Sequence, residues 1–86
     1  MSEPAVRLHA VLIVNDQSSL QWRATRARIR SGRIVVVGNG DPPSGLLDAP
    51  RSTFTISATD GVGRKRRYAM VTFAGRDVAE NEYVFV

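Results

Sequence analysis

Arginine is the residue with the greatest potential for binding chemistry in this chain of 86 residues. The chain carries 12 basic and 8 acidic residues for a formal net charge of +4, and every basic residue except Lys65 is an arginine. The planar guanidinium group forms paired hydrogen bonds with carboxylates and with phosphates. Most of these cations fall into two groups, which we predict to bind a partner or a nucleic acid: Arg26, Arg28, Arg30 and Arg33, and then Arg64, Lys65, Arg66 and Arg67.

Residues suited to catalysis or to metal binding are scarce. There is one histidine, His9, and no cysteine, which excludes a disulfide framework and a Cys or Cys/His zinc site. His9 with Asp16 and the serines at 18 and 19 could be imagined as a hydrolytic triad, but nothing in their spacing specifies one. We therefore expect no enzyme activity, no catalytic residue, no metal, no cofactor and no small-molecule substrate.

Apolar residues in two places are candidates for contact with another protein. Leu46 and Leu47 interrupt a loop rich in glycine and proline, where they either plug the end of the core or form an exposed docking knob. Tyr83 and Phe85 lie in an apolar segment at residues 83–86. Such a strand invites aggregation unless it pairs within the fold or with another subunit.

These features predict a non-enzymatic module for protein interaction or assembly, which binds an acidic protein surface or a second copy of itself. The alternative is a protein that binds the nucleic-acid backbone through its arginine groups. Trp22 and Tyr68 are the aromatic residues near those groups, and both also fit a core role, so base stacking has little support.

The elements that would position these residues are mostly strands. Apolar and polar residues alternate over residues 6–14, with Val6, Leu8, Ala10, Leu12 and Val14 assigned to one face. Further strands are predicted at 33–37, 52–58, 67–73 and 83–86. Asp77 could cap one short helical turn near 77–81.

Residues 20–30 fit two patterns. Leu20, Ala24 and Ala27 have helical spacing, and a helix would spread the arginines around its axis. A strand with a bulge near Thr25 and Arg26 would instead place Arg26, Arg28 and Arg30 on one face. Ser31 and Gly32 would then close a two-residue hairpin that sets Ile29 opposite Ile34 and Ala27 opposite Val36. The strand is favoured because residues 33–37 need a neighbouring partner.

About six strands and no firm helix predict an all-β fold, a small barrel or sandwich with mostly antiparallel pairing. The whole chain reads as one β-rich domain, with an N-terminal tail at 1–5, a long Gly/Pro loop at 38–51 and a basic hairpin loop at 59–66. The longest apolar run is far shorter than the roughly 20 residues of a membrane span, so we expect no membrane partner and a cytoplasmic location.

Overall fold

A computed structural model describes residues 6–17, 19–48 and 52–86. The tail predicted at 1–5, the serine at 18 and the end of the Gly/Pro loop at 49–51 lie outside the described residues. Within the described part no helix has the length and apolar composition that a membrane span requires. The fold is all-β, as predicted, with strands β1 (Val6–Asn15), β2 (Gln21–Ala24), β3 (Arg26–Arg30), β4 (Arg33–Val37), β5 (Phe54–Asp60), β6 (Lys65–Val71), β7 (Phe73–Asp77) and β8 (Glu82–Phe85).

The strands belong to one open sheet in the order β6, β5, β1, β3, β4, β8, β7, with β2 paired to β1 alongside β3. The two edge strands, β6 and β7, are consecutive in the chain and only Thr72 separates them. The Thr72 amide donates to the Val86 carbonyl at 2.8 Å, and the Val86 amide donates back to Thr72 at 2.9 Å. Because one residue spans at most about 3.6 Å, the sheet must curl until its edges meet at this end.

The hairpin of β3 and β4 forms as the sequence predicts. Ser31 (φ 52°) and Gly32 (φ 75°) are both left-handed, the geometry of a type I′ turn. Ile29 pairs with Ile34 and Ala27 with Val36. Residues 20–30 are thus extended and not helical. Arg26, Arg28 and Arg30 therefore share one face of β3, as the strand prediction required.

The predicted break near Thr25 is present, and it has a counterpart in β1. The buried side chains on either side of the break, Ala24 of β2 and Ala27 of β3, are three residues apart instead of the two of a regular strand. At the break the Thr25 amide and hydroxyl both donate to the Val37 carbonyl, at 3.2 and 3.0 Å. On β1 the register with β5 shifts between Leu8 and Ala10.

The shift in β1 corrects the predicted face of that strand. Leu8 is buried as predicted, but beyond the shift the buried apolar side chains are Val11 and Ile13, whereas Ala10 is exposed and Leu12 is half-buried. The second half of β1 is apolar on both faces, so alternation alone could not reveal a change of phase.

The predicted strand at 67–73 is two strands. β6 begins at Lys65 and carries a bulge at Met70 (φ 65°), and β7 follows after Thr72. The helical turn predicted near 77–81 is a tight turn between β7 and β8 instead. There the Asp77 carboxylate accepts from the amides of Ala79 and Glu80, at 3.1 and 3.4 Å.

The core lies on the inner face of the curled sheet. Tyr83 and Phe85 are 1% and 0% exposed, because β8 is paired on both sides, with β4 and β7. Leu46 is equally buried, and its carbonyl accepts from Asn15 Nδ2 at 2.9 Å, so the Gly/Pro loop closes one end of the core. Trp22 meets the Tyr83 ring edge-on with centroids 4.7 Å apart.

Gly38 is packed so tightly that we expect Gly38→Ala to destabilise the fold by about 1–3 kcal/mol through overpacking. A Cβ there would lie 2.9 Å from Tyr83 Cε1 and 3.1 Å from Trp22 Cζ2. Gly75 is the matched control, since a Cβ there meets nothing within 4 Å and its φ is not left-handed. Urea unfolding should show a lower midpoint for Gly38→Ala alone; equal midpoints would contradict this packing.

Candidate anion-binding site

The outer face of β3 carries three arginines in a row. Side chains of a strand alternate between its faces, so Ala27 and Ile29 turn inward while Arg26, Arg28 and Arg30 turn outward and are exposed. Successive outward side chains lie about 6.8 Å apart along a strand. The predicted stripe is therefore a regular file of guanidinium groups.

Neighbouring strands extend this file with two arginines placed directly opposite its members. Arg7 of β1 pairs in register with Arg28, and Arg33 of β4 pairs with Arg30. Like charges directly opposite each other in a sheet repel and destabilise it. We call the surface of Arg7, Arg26, Arg28, Arg30 and Arg33 the arginine face.

Arg7 is a member of this face that the sequence pattern did not predict. A signal for it exists, because the pairing of residues 6–14 with 20–30 as one hairpin sets residue 7 opposite residue 28. The pairing register of β1 with β3, rather than any motif around residue 7, brings this arginine to the site.

Among the described residues, one carboxylate reaches the arginine face. Glu82 Oε2 lies 2.8 Å from Arg28 Nη2, with side chains 16% and 48% exposed. The other ion pair among the described residues joins Arg76 to Asp41 at 3.1 Å. Within the described ranges, the five cations of the arginine face thus have one partner carboxylate.

Other carboxylates are held by local structure. Asp16 accepts hydrogen bonds from the hydroxyls of Thr53 and Thr55, at 3.1 and 2.8 Å. Asp77 and Asp60 each accept backbone amides of the turns that follow them. Asp16 and Asp77 are thus committed to a strand end and to a turn, and Asp60, which is opposite Leu8 on β5, is committed to the β5–β6 turn.

The second predicted group forms the basic edge, which we define as Arg64, Lys65, Arg66 and Arg67. The hairpin loop is shorter than the 59–66 predicted, because Lys65, Arg66 and Arg67 lie in edge strand β6 and only Arg64 belongs to the turn. All four side chains are exposed.

A groove of about 500 Å³ separates the basic edge from Arg23 of β2. Leu12 of β1 and Ser57 of β5 lie in its floor. Arg23 and Arg67 flank them in the same cross-strand row, on β2 and β6. Because β5 and β1 lie between β6 and β3, about three strand spacings, or 14 Å, separate the basic edge from the arginine face. Lys65 and Arg67 share the outer face of the sheet with the arginine face, whereas Arg66 is opposite the buried Ala58 and lies on the other face. The two predicted groups do not form one cluster.

The pKa of Asp60 is lowered by the structure of the turn that precedes the basic edge. The largest cause is the Arg64 amide, which donates to Oδ1 at 2.9 Å, and the Val62 amide adds a second bond at 3.0 Å. The charges of Arg64 and Arg66 act in the same direction. The ionised carboxylate therefore holds the turn.

The predicted apolar contact residues are not on this surface. Leu46, Tyr83 and Phe85 lie in the core, and Leu47 is half-buried beside the loop prolines. None of the six aromatic side chains of the chain is exposed. In the part of the chain that the structure describes, the large exposed apolar residues are single ones at turns, strand ends and a bulge: Val6, Val62, Met70, Val78 and Val86.

His9 and Asp16, two of the residues imagined as a hydrolytic triad, are far apart, and the serine at 18 lies outside the described residues. His9 and Asn15, which precedes Asp16, are separated by about 20 Å of extended strand. The His9 ring lies instead against the β5–β6 turn, 3.2 Å from the position of a Cβ on Gly61. Within the described ranges no three His, Asp or Glu side chains are grouped as metal ligands would be.

Comparison of the chain with protein-family models, with curated proteins and with solved structures found no match. The chemistry and geometry of the arginine face are thus the basis for inferring a function.

We expect Arg7→Gln to stabilise the protein at low salt, by about 0.2–1 kcal/mol, because it removes repulsion from Arg28. The gain should vanish at about 1 M salt, where the screening length is about 3 Å. Urea unfolding at both salt concentrations measures it. Arg23→Gln is the control, since Arg23 is opposite the uncharged Leu12; an equal gain there would argue against a cross-strand origin.

The lowered pKa of Asp60 predicts a pH dependence of stability. Its charged form is favoured by folding, so its contribution is fully present above the unfolded value of about 3.9 and is lost as pH falls through the folded pKa. Asp60→Asn keeps an oxygen acceptor without the charge. The thermal midpoint of the wild type should exceed that of Asp60→Asn near neutral pH and approach it in acid; a constant difference would show that ionisation is irrelevant.

Proposed function

We propose that this protein is a binding module that holds nucleic acid by its phosphate backbone, on the arginine face of its curled sheet. The supporting observation is the presence of two pairs of directly opposed arginines, Arg7 with Arg28 and Arg30 with Arg33. Like charges opposed in this way repel and cost folding free energy, and of these four arginines only Arg28 has a carboxylate partner among the described residues. A ligand that supplies anions between them offsets this repulsion.

The spacing of the arginines suits a regular polyanion. Outward side chains of β3 repeat every 6.8 Å or so, and one strand of B-DNA places a phosphate about every 3.4 Å along its axis. Arginine also binds phosphate through two parallel hydrogen bonds, which lysine does not. A row of such contacts fixes the position of a backbone without reading its bases.

Double-stranded nucleic acid is the expected form. Proteins that bind single strands stack the bases on aromatic side chains, and here the aromatic rings pack in the core or are half-buried. A duplex offers its phosphates with the bases already stacked, so it needs no aromatic platform.

A protein partner, or a second copy of this chain, has weaker support than the sequence suggested. The apolar residues that favoured it are mainly in the core. Edge strand β6 carries three cations and a bulge at Met70, both of which oppose pairing with another strand edge. An acidic protein surface remains the competing partner, and a binding experiment separates the two.

Two variants with the same loss of charge test the proposal. Arg26→Ser, Arg30→Ser and Arg33→Ser together remove three cations of the arginine face but spare the Arg28–Glu82 pair. Arg64→Ser, Lys65→Ser and Arg67→Ser remove three from the basic edge. Binding of a labelled duplex is followed by fluorescence anisotropy between 50 and 200 mM salt.

Wild-type affinity should fall steeply over this range, and the slope of log K against log salt should shrink by about 0.9 for each phosphate that the arginine-face variant no longer neutralises. In the basic-edge variant the slope of log K against log salt should shrink less than in the arginine-face variant. If the slope shrinks equally in the two variants, binding depends on net charge alone and not on the arginine face. No binding at 50 mM salt would refute the proposal, and capture of an acidic protein from nuclease-treated lysate would then favour the competing partner.

A further inference from the structure

A cleft of about 290 Å³ lies at one end of the arginine face, over the pairing of β1 with β3. Three arginines line it, Arg7, Arg26 and Arg28, together with His9. Arg7 and Arg28 are opposite each other, and Arg26 is the next outward residue on β3. Arginines of both strands therefore flank this cleft, two from β3 and one from β1.

The inner side of the cleft is fixed by the core. Leu8 and Ala27 pair with each other directly beneath it and are buried. Glu82 holds the Arg28 guanidinium from the β8 side at 2.8 Å, which limits the orientations of that group. A cleft with ordered walls and a fixed cation is suited to one compact anion.

The charge of the cleft selects the type of anion. Three guanidinium groups and the Glu82 carboxylate leave two positive charges, with His9 counted as neutral. An internal phosphodiester carries one negative charge and neutralises half of this excess. A phosphomonoester carries about −1.5 to −2 at pH 7 and offers three acceptor oxygens, one for each arginine.

We propose that the cleft of Arg7, Arg26, Arg28 and His9 binds a phosphomonoester, and that in the complex this group is the terminal phosphate of a nucleic-acid strand. The identification of the strand end rests on the proposed function, whereas the affinity of the cleft for a phosphomonoester does not. The remaining arginines, Arg30 and Arg33, then lie on β3 and β4 along the adjoining backbone.

Two short duplexes that differ only in a 5′-phosphate or a 5′-hydroxyl provide the test, with fluorescence anisotropy as the readout. Wild-type protein should bind the phosphorylated duplex about tenfold more tightly, the effect of one charged hydrogen-bonded contact. Arg7→Gln should abolish this preference, although the same substitution is expected to stabilise the fold. Arg33→Gln, the matched control outside the cleft, should weaken binding of both duplexes alike and keep the preference.

Inorganic phosphate, titrated into the wild type and followed by amide chemical shifts, tests the cleft without nucleic acid. Shifts at residues 7–9 and 26–28 that disappear in Arg7→Gln support the proposal. Equal affinity for the two duplexes overturns the strand-end inference while backbone binding stands. If neither duplex binds, the proposed function fails. The phosphate titration alone then decides whether the cleft binds a phosphomonoester.

Discussion

The one-residue link between the two edges of the sheet is the constraint on which the rest of this structure depends. β6 and β7 occupy opposite ends of the strand order, yet Thr72 alone joins them and is fixed by two hydrogen bonds to Val86. The sheet has to coil, and coiling gives every strand a concave and a convex side. Large aromatic residues fill the concave side, where Phe54 and Phe85 meet with centroids 5.4 Å apart. The convex side carries the exposed arginines of the arginine face.

The distribution of charge follows from this difference between the two sides. Carboxylates are used where the backbone needs an acceptor, as Asp60 and Asp77 show in their turns. The arginines of the arginine face lie where strands run side by side, and within the described ranges only Arg28 among them has a carboxylate partner. A fold that accepts opposed arginines at two positions departs from local electrostatic preference, and such departures are expected at functional sites. The repulsion between the opposed arginines points to this surface as the binding site, which the net charge of the chain alone would not.

The sequence predicted those parts of the structure in which local pattern and tertiary context agree. The type I′ hairpin and the outward file of Arg26, Arg28 and Arg30 follow from alternation and turn chemistry, both short-range effects. β7 was not predicted because Ala74 and Gly75 end the apolar pattern, and an edge strand needs no pattern on its outer side. The burial of β8 could not be decided from the sequence because it depends on pairing with β4, about 50 residues earlier. Arg7 joins the site through cross-strand register, which no single segment encodes.

The shared change of phase in β1 and in β2–β3 has a consequence for how this chain can vary. Both strands exchange their inward and outward positions at the same level of the sheet, near His9 on one and Thr25 on the other. In each strand the two buried residues that flank this level are three positions apart, Leu8 and Val11 in β1 and Ala24 and Ala27 across β2–β3, whereas strict alternation would place them two apart. Loss of one residue from both places would therefore keep the same residues buried and exposed, while loss from one strand alone would leave an unmatched residue on the other, as in a β-bulge. Changes of length that keep the two strands in regular pairing are therefore matched pairs, and they affect the core and the arginine face together.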